Sequence, residues 1–109
     1  MIQVDMVLDE AGLLKSCRVS GHAGAGKWGS DIVCAAVSVL TRTLIRVLAG
    51  RQGVTIRGIP EQGNFCMEAE YTPEGKGFLA AAGAFLIEGL LSVSVEFPDY
   101  CKVTIGRRN

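Results

Sequence analysis

The sequence predicts an α+β domain, in which one mostly antiparallel sheet is packed with two helices. Short segments of alternating polar and apolar residues recur along the 109 residues, which is typical of half-buried strands. Two longer segments have the spacing and apolar content of helices. The residues are 49% hydrophobic and 20% charged, so a single domain over 1–109 has enough apolar side chains to form a core.

Each element is predicted from its periodicity and from the residues that end it. Asp9 to Gly12 form the first hairpin turn, and Pro60 to Gly63 the second. Ser30 or Asp31 caps the first helix, which Gly50 ends. The predicted elements are strands over 2–8 and 13–20, a helix from 30 or 31 to about 49, strands over 54–59 and 64–71, a helix over about 74–93 and a strand over 101–105. The order β-β-α-β-β-α-β favours hairpins and therefore the α+β class.

The two helices have different patterns. The first is amphipathic, and Cys34 lies beside Thr41 and Ile45 at the border between its two faces. The second is nearly apolar all round, which predicts burial on several sides. The apolar face of the first helix carries Val33, Val37, Leu40, Leu44, Val47 and Leu48, and its polar face carries Asp31, Ser38, Arg42 and Arg46.

Charge and terminal sequence exclude several classes of protein. The net charge is zero, so the basic surface of a nucleic-acid binder is missing and no direct contact with nucleic acid is expected. A neutral surface does little to keep copies apart, which leaves self-association open. Met1 to Met6 alternates in polarity, unlike a secretory signal. Phe78 to Val95 is interrupted by Glu88 and two glycines, so we expect a buried helix and a cytoplasmic protein without a membrane segment.

The four cysteines, Cys17, Cys34, Cys66 and Cys101, fall in separate segments and form no CxxC pair. Together with the missing secretory signal, this spacing predicts reduced thiols rather than disulfides. The chain has one histidine, so a four-ligand zinc site is not expected, and neither a metal nor another cofactor is predicted. The three cysteines on predicted strands, Cys17, Cys66 and Cys101, are interpreted as packing residues.

The glycine-rich stretch before the first helix satisfies one phosphate-binding pattern. Gly21 through Lys27 reads GxxxxGK, between a strand and a helix. The pattern next requires Ser or Thr to hold Mg²⁺, and the chain has Trp28. The predicted helix also begins several residues after Lys27, and the strands form hairpins rather than a parallel sheet. A chance match is therefore favoured over a nucleotide site.

The same stretch also fits a cysteine nucleophile with a histidine base. Cys34 is predicted in the first turn of the helix, where the helix dipole and free N–H groups favour a thiolate. His22 lies on the loop that enters this helix and can fold back over its start. From these residues alone, however, a buried core cysteine and a surface histidine without a role remain the favoured interpretation.

A longer sequence pattern favours the catalytic pair over the interpretation without a role. Gly21-His22-Ala23, then Gly29, then Asp31 through Ser38 (DIVCAAVS) closely resemble the signature of the bacterial ribosomal-processing cysteine protease family. The resemblance extends over nearly the whole chain. It implies that Cys34 is the catalytic nucleophile and His22 the catalytic histidine. It also implies a homodimer that removes the N-terminal extension of the large-subunit ribosomal protein L-twenty-seven by cutting after an aromatic residue.

The other residues of this stretch keep two interpretations each. Asp31 either caps the helix, which is favoured, or orients the imidazole of His22. Trp28 either covers the bound peptide or packs the loop, and Ser38 either hydrogen-bonds nearby or is an exposed helix serine. The candidate substrate-loop residues are Gly21, Ala23, Gly24, Gly26, Trp28, Gly29 and Ser38. The alternative function is a peptide-binding or ribosome-associated scaffold without catalysis.

Overall fold

The computed structural model describes residues 1–21, 28–61 and 64–108, and their side chains except those of 28–31 and 59–61. The predicted order of seven elements is confirmed. The elements are β1 (Ile2–Leu8), β2 (Leu14–Ser20), α1 (Trp28–Leu48), β3 (Val54–Glu61), β4 (Asn64–Tyr71), α2 (Lys76–Glu96) and β5 (Cys101–Arg107).

The five strands form one sheet in the order β3-β4-β2-β1-β5. The pairs β1/β2, β2/β4 and β3/β4 are antiparallel, as their hairpin sequences predict, and only β1/β5 is parallel. Ser20, at the end of β2, is in register with Gln3 on one side and with Asn64 on the other. The loop that leads to α1 therefore leaves the sheet from its central strand.

The core lies between one face of the sheet and the two helices. Alternate residues of β1 and β4 are buried, as the period-two pattern requires. The other sheet face carries the polar residues of the same strands, which is common for an antiparallel sheet covered on one side. The buried strand residues of β1 and β4 are Ile2, Val4, Met6, Phe65, Met67 and Ala69.

The start of α1 differs from the prediction. The helix begins at Trp28, so Ser30 and Asp31 lie inside its first turn and neither is the N-cap. The expectation that Asp31 caps the helix is therefore wrong, because a cap is the flanking residue outside the helical backbone. The predicted end is confirmed to within one residue, since α1 ends at Leu48 and Gly50 has a φ of 74°. Val47 is 41% exposed, although it was predicted on the buried face.

The burial of α2 also differs from the prediction. Its buried residues are Leu79, Gly83, Leu86, Leu90 and Val93. Phe85 is 74% exposed and Val95 is 78% exposed, so the helix is buried along one stripe and not on several sides. The physical reason is that α1 and α2 lie side by side over one sheet face. By length and mean hydropathy (1.9) alone, α2 also passes as a membrane-spanning helix.

Candidate active site

Cys34 lies in the N-terminal part of α1, the helix that follows the loop. It is half-buried and packs against the hydrophobic core. Because α1 begins at Trp28, Cys34 lies about 9 Å along the helix axis from its first residue and not in the first turn. The predicted position of Cys34 in the first turn, where the helix dipole mainly acts, is therefore wrong.

The predicted border position of Cys34 is confirmed. Its preceding neighbour Val33 is fully buried, whereas Ala35 and Ser38 are exposed. Two turns further along the same side, Thr41 is the buried polar residue of the described core. Its hydroxyl donates to the carbonyl oxygens of Val37 (2.9 Å) and Ser38 (3.2 Å). Cys34 thus has rigid helix beneath it and an open side, which suits a thiol that must be both held and reached.

Ser38 is exposed one turn after Cys34, and its carbonyl oxygen accepts one of the Thr41 hydrogen bonds. Its role in substrate binding stays a prediction. Gly29 and Trp28, predicted as loop residues, lie instead in the first turn of α1. His22, Ala23, Gly24 and Gly26 lie outside the described residues, as do the side chains of Trp28 and Asp31.

Gly21 is the last described residue before the loop. It has a φ of 90°, a left-handed conformation that favours glycine. A Cβ at this position would overlap with the carbonyl oxygen of Met1. The structure therefore shows a requirement for glycine where the chain leaves β2 towards His22.

The remaining cysteines separate into two groups. Cys17 and Cys101 are buried, as predicted for packing residues, and burial raises the pKa of Cys101 and raises the pKa of Cys17 to about 12. Cys66 is exposed, so its interpretation as a packing residue is wrong. It alternates with the buried Phe65 and Met67 and therefore points to the open sheet face, a signal already present in the strand period. All four cysteines are free thiols.

The structure removes one of the arguments against a phosphate-binding site and leaves two of them in place. The helix begins directly after Lys27, so the predicted gap between this lysine and the helix start is wrong. However, β2 is antiparallel to both of its neighbours, and Trp28 stands where Mg²⁺ requires a hydroxyl. Over residues 1–21, 28–61 and 64–108, no three His, Cys, Asp or Glu side chains are grouped to hold a metal ion.

Comparison with protein families decides between the functions that the sequence left open for the chain. The family model described as cysteine protease Prp matches residues 1–102. The chain belongs to the Prp family of cysteine proteases. Membership in this family makes the chain a protease, and the alternative of a scaffold without catalysis is set aside.

Solved structures agree with the Prp assignment. SMU.848 from Streptococcus mutans is 27% identical, with a TM-score of 0.78 over 99% of this chain and 96% of that one. The ribosomal processing protease Prp from S. aureus, in complex with a substrate peptide, is 19% identical and has a TM-score of 0.81 over 96% and 99% of the two chains. The same protease with a covalently linked product peptide is 20% identical, with a TM-score of 0.80 and the same coverage. No curated protein matches the chain.

Proposed function

We propose that this Prp protease removes the N-terminal extension of the large-subunit ribosomal protein L-twenty-seven in the cytoplasm, with Cys34 as nucleophile and His22 as general base. The observation that carries the proposal is the position of Cys34. In a chain of the Prp family, it is the half-buried thiol on the helix that follows the GHA loop. The S. aureus protease with a covalently linked product peptide supports a nucleophilic mechanism for this family.

The proposed reaction has two stages. In the first, His22 takes the proton from the Cys34 thiol as Sγ attacks the scissile carbonyl carbon. The tetrahedral intermediate collapses, the peptide C–N bond breaks, and His22 passes the proton to the departing amine. In the second stage, His22 takes a proton from water, whose oxygen attacks the thioester. The C–S bond then breaks and the carboxylic acid product leaves, while His22 returns the proton to Sγ and regenerates the Cys34 thiol.

The substrate is expected to be a protein tail in extended conformation with an aromatic residue before the cut. The zero net charge gives no overall electrostatic attraction to ribosomal RNA, which supports recognition of the protein segment itself. Trp28, at the first position of α1, is the candidate aromatic contact for this tail.

The proposed homodimer is supported by an apolar groove between α1 and α2. The groove has a volume of about 470 Å³. Thr43 follows Cys34 by about two and a half helical turns, so the groove opens on the side of α1 away from Cys34. A second copy seated there leaves the active-site side free. The lining residues are Val39, Leu40, Thr43, Leu44, Val47, Ala82, Phe85 and Leu86.

Cleavage of the extended ribosomal protein by two serine variants tests the proposed nucleophile. Cys34→Ser replaces the thiol with a hydroxyl that is a far weaker nucleophile beside the same base. We expect its cleavage rate to fall by at least about a hundredfold, on the scale of losing a positioned catalytic group. The matched control is Cys66→Ser, because Cys66 is also accessible but lies on the open sheet face. Normal cleavage by Cys34→Ser, measured by electrophoresis and mass spectrometry, contradicts the assignment.

A further inference from the structure

Gly21, at the junction between β2 and the active-site loop, is exposed but has little space around its Cβ position. Gly21 is exposed, yet the Met1 carbonyl oxygen stands where its Cβ would be. The Met1 carbonyl carbon and the Ile2 Cα lie 3.5 and 3.8 Å from the same point. The backbone of the chain's first two residues therefore packs directly against the point where the loop begins.

Gly12, at the other end of β2, provides an internal comparison. Its φ is 85°, close to the 90° of Gly21, so both residues have the left-handed backbone. A Cβ at Gly12 has no heavy atom within 4 Å. The two glycines thus share one backbone requirement, and Gly21 adds a steric requirement that Gly12 does not have.

A side chain at Gly21 must displace either the start of β1 or the start of the loop. The start of β1 is held firmly, because Ile2 is buried and its N–H donates to the Tyr100 carbonyl oxygen at 2.8 Å. Ile2 is also in register with Cys101 of β5, and Gln3 with Ser20 of β2. A side chain at Gly21 is therefore expected to change the backbone angles of Gly21 itself rather than to move β1.

We infer that Gly21 is a positioning residue for catalysis: its left-handed backbone and its contact with the Met1 carbonyl set the direction in which the chain passes to His22. This inference rests on the proposed function, since it gives Gly21 a role through the histidine that follows it. Because His22 follows Gly21 directly in the sequence, a change in the backbone angles of Gly21 is expected to displace His22. Displacement of a catalytic group by about 1 Å can reduce a rate by about a hundredfold.

Matched substitutions at the two glycines test the inference. Gly21→Ala and Gly12→Ala are made in a Cys66→Ser background, which removes the exposed second thiol. Both variants lose thermal stability, because alanine is strained at positive φ. Gly12→Ala is expected to keep its kcat within about twofold, whereas Gly21→Ala is expected to lose about a hundredfold in kcat, on the scale of a 1 Å displacement.

The pH dependence of kcat and of Cys34 alkylation distinguishes a positioning role of Gly21 from a general loss of folding. In the proposed dyad, both kcat and the rate of Cys34 alkylation by iodoacetamide depend on the protonation of His22. Gly21→Ala is expected to lose this dependence, as His22→Ala does, and Gly12→Ala is expected to keep it. A kcat for Gly21→Ala that falls only with the folded fraction, with an unchanged pH profile, overturns the inference.

A second pair of variants covers the case in which Gly21→Ala does not fold. Asparagine tolerates the left-handed conformation but retains a Cβ, so Gly21→Asn keeps the conflict with Met1 and reduces the backbone strain. We expect Gly21→Asn to lose kcat and Gly12→Asn to keep it, and equal activity of the two overturns the inference. If His22→Ala itself retains the wild-type rate and pH profile, the proposed dyad fails. If His22→Ala is inactive but both Gly21 variants behave like those at Gly12, only the positioning role fails.

Discussion

At the scale of single residues, the four cysteines show how strongly burial controls thiol chemistry. Cys17 has no exposed surface, and burial raises its pKa to about 12, so almost none of it is thiolate near neutral pH. Cys101 is also buried with a raised pKa. Cys34 is half-buried and Cys66 is exposed, so these two thiols are open to reagents.

We expect iodoacetamide at neutral pH to label Cys34 and Cys66 in the folded protein and to leave Cys17 and Cys101 unmodified. Access favours the first pair, and the raised pKa values of Cys17 and Cys101 disfavour reaction of the second pair. Peptide mass spectrometry after timed alkylation measures the labelling at each site, and the protein unfolded in urea provides the control in which all four react. Labelling of Cys17 in the folded protein as fast as Cys66 contradicts this expectation.

Asp9 and Tyr71 form a second residue-scale feature, which joins the first hairpin to the end of β4. Asp9 Oδ1 accepts hydrogen bonds from the N–H groups of Ala11 and Leu13, each at 2.9 Å. Asp9 Oδ2 accepts one from the Tyr71 hydroxyl at 2.6 Å. The hydrogen bond from Tyr71 is the main cause that lowers the pKa of Asp9, and the same bond raises the pKa of Tyr71.

The lowered pKa of Asp9 gives the stability a defined pH dependence. Because the folded pKa lies below the ordinary value of 3.8, the unfolded chain binds the proton first as the pH falls. The contribution is present above pH 3.8 and is lost as the pH falls through the folded pKa. We expect Tyr71→Phe to lower the urea midpoint clearly at pH 7 and much less in strong acid. Tyr100→Phe, at another half-buried tyrosine, is the control, and an equal loss for Tyr71→Phe at both pH values argues against this account.

At the scale of elements, the connection from α1 to β3 packs against the connection from β4 to α2, and each contributes one glycine to the contact. Gly53 precedes β3 and Gly75 precedes α2. A Cβ on Gly75 would overlap with the Gly53 carbonyl and approach Val54 Cγ2 to 2.8 Å. Gly75 itself has a φ of −92°, so glycine is required here for space and not for backbone conformation. The crossing allows α2 to begin close to the edge strand β3.

Gly75→Ala is expected to lower the free energy of unfolding by about 3 kcal/mol, near the upper end for overpacking, because the opposing atoms belong mainly to the backbone. The control lies on the same helix. Gly77 has open space around its Cβ position, so Gly77→Ala is expected to stabilise the protein by about 0.5–1 kcal/mol through helix propensity. Urea unfolding measures both variants. A stability change of the same sign for both variants contradicts the proposed steric role of Gly75.

At the scale of the whole molecule, the apolar groove between α1 and α2 is the surface on which the proposed dimer is tested. Phe85 is 74% exposed and Val39 is 63% exposed, so a large apolar surface flanks the helix pair. A two-fold dimer buries the same patch of both copies, which fits one groove with a protruding phenylalanine at its rim. The side of α1 that carries Cys34 faces the other way.

Light scattering combined with size-exclusion chromatography is expected to show a dimer that Phe85→Glu converts to a monomer, because a charge then replaces the most exposed apolar side chain that lines the groove. Ile105→Glu on β5 is the control, since Ile105 is an exposed apolar residue away from the groove. A dimer that survives Phe85→Glu but dissociates with Ile105→Glu places the interface at the sheet edge instead.

Local sequence patterns were enough to predict the class of the fold, the order of its elements and the residues of the candidate dyad. Strand alternation and helical spacing are local patterns, so the bounds of β1 and β4 follow from them directly, and the GHA and DIVCAA segments carry the family resemblance. The same alternation also contained the outward position of Cys66, which an interpretation based on residue type missed.

Only the tertiary structure decided how much of each helix is covered and where the loop is anchored. The apolar composition of α2 predicted burial on several sides, but two helices over one sheet face bury one stripe each and leave Phe85 exposed. The close approach of the Met1 carbonyl to Gly21 joins residues that flank two different strands, so no local pattern contains it. The physical reason is the same for both: burial and close approach depend on neighbours that are distant in the chain, whereas periodicity reports only the residues within one element.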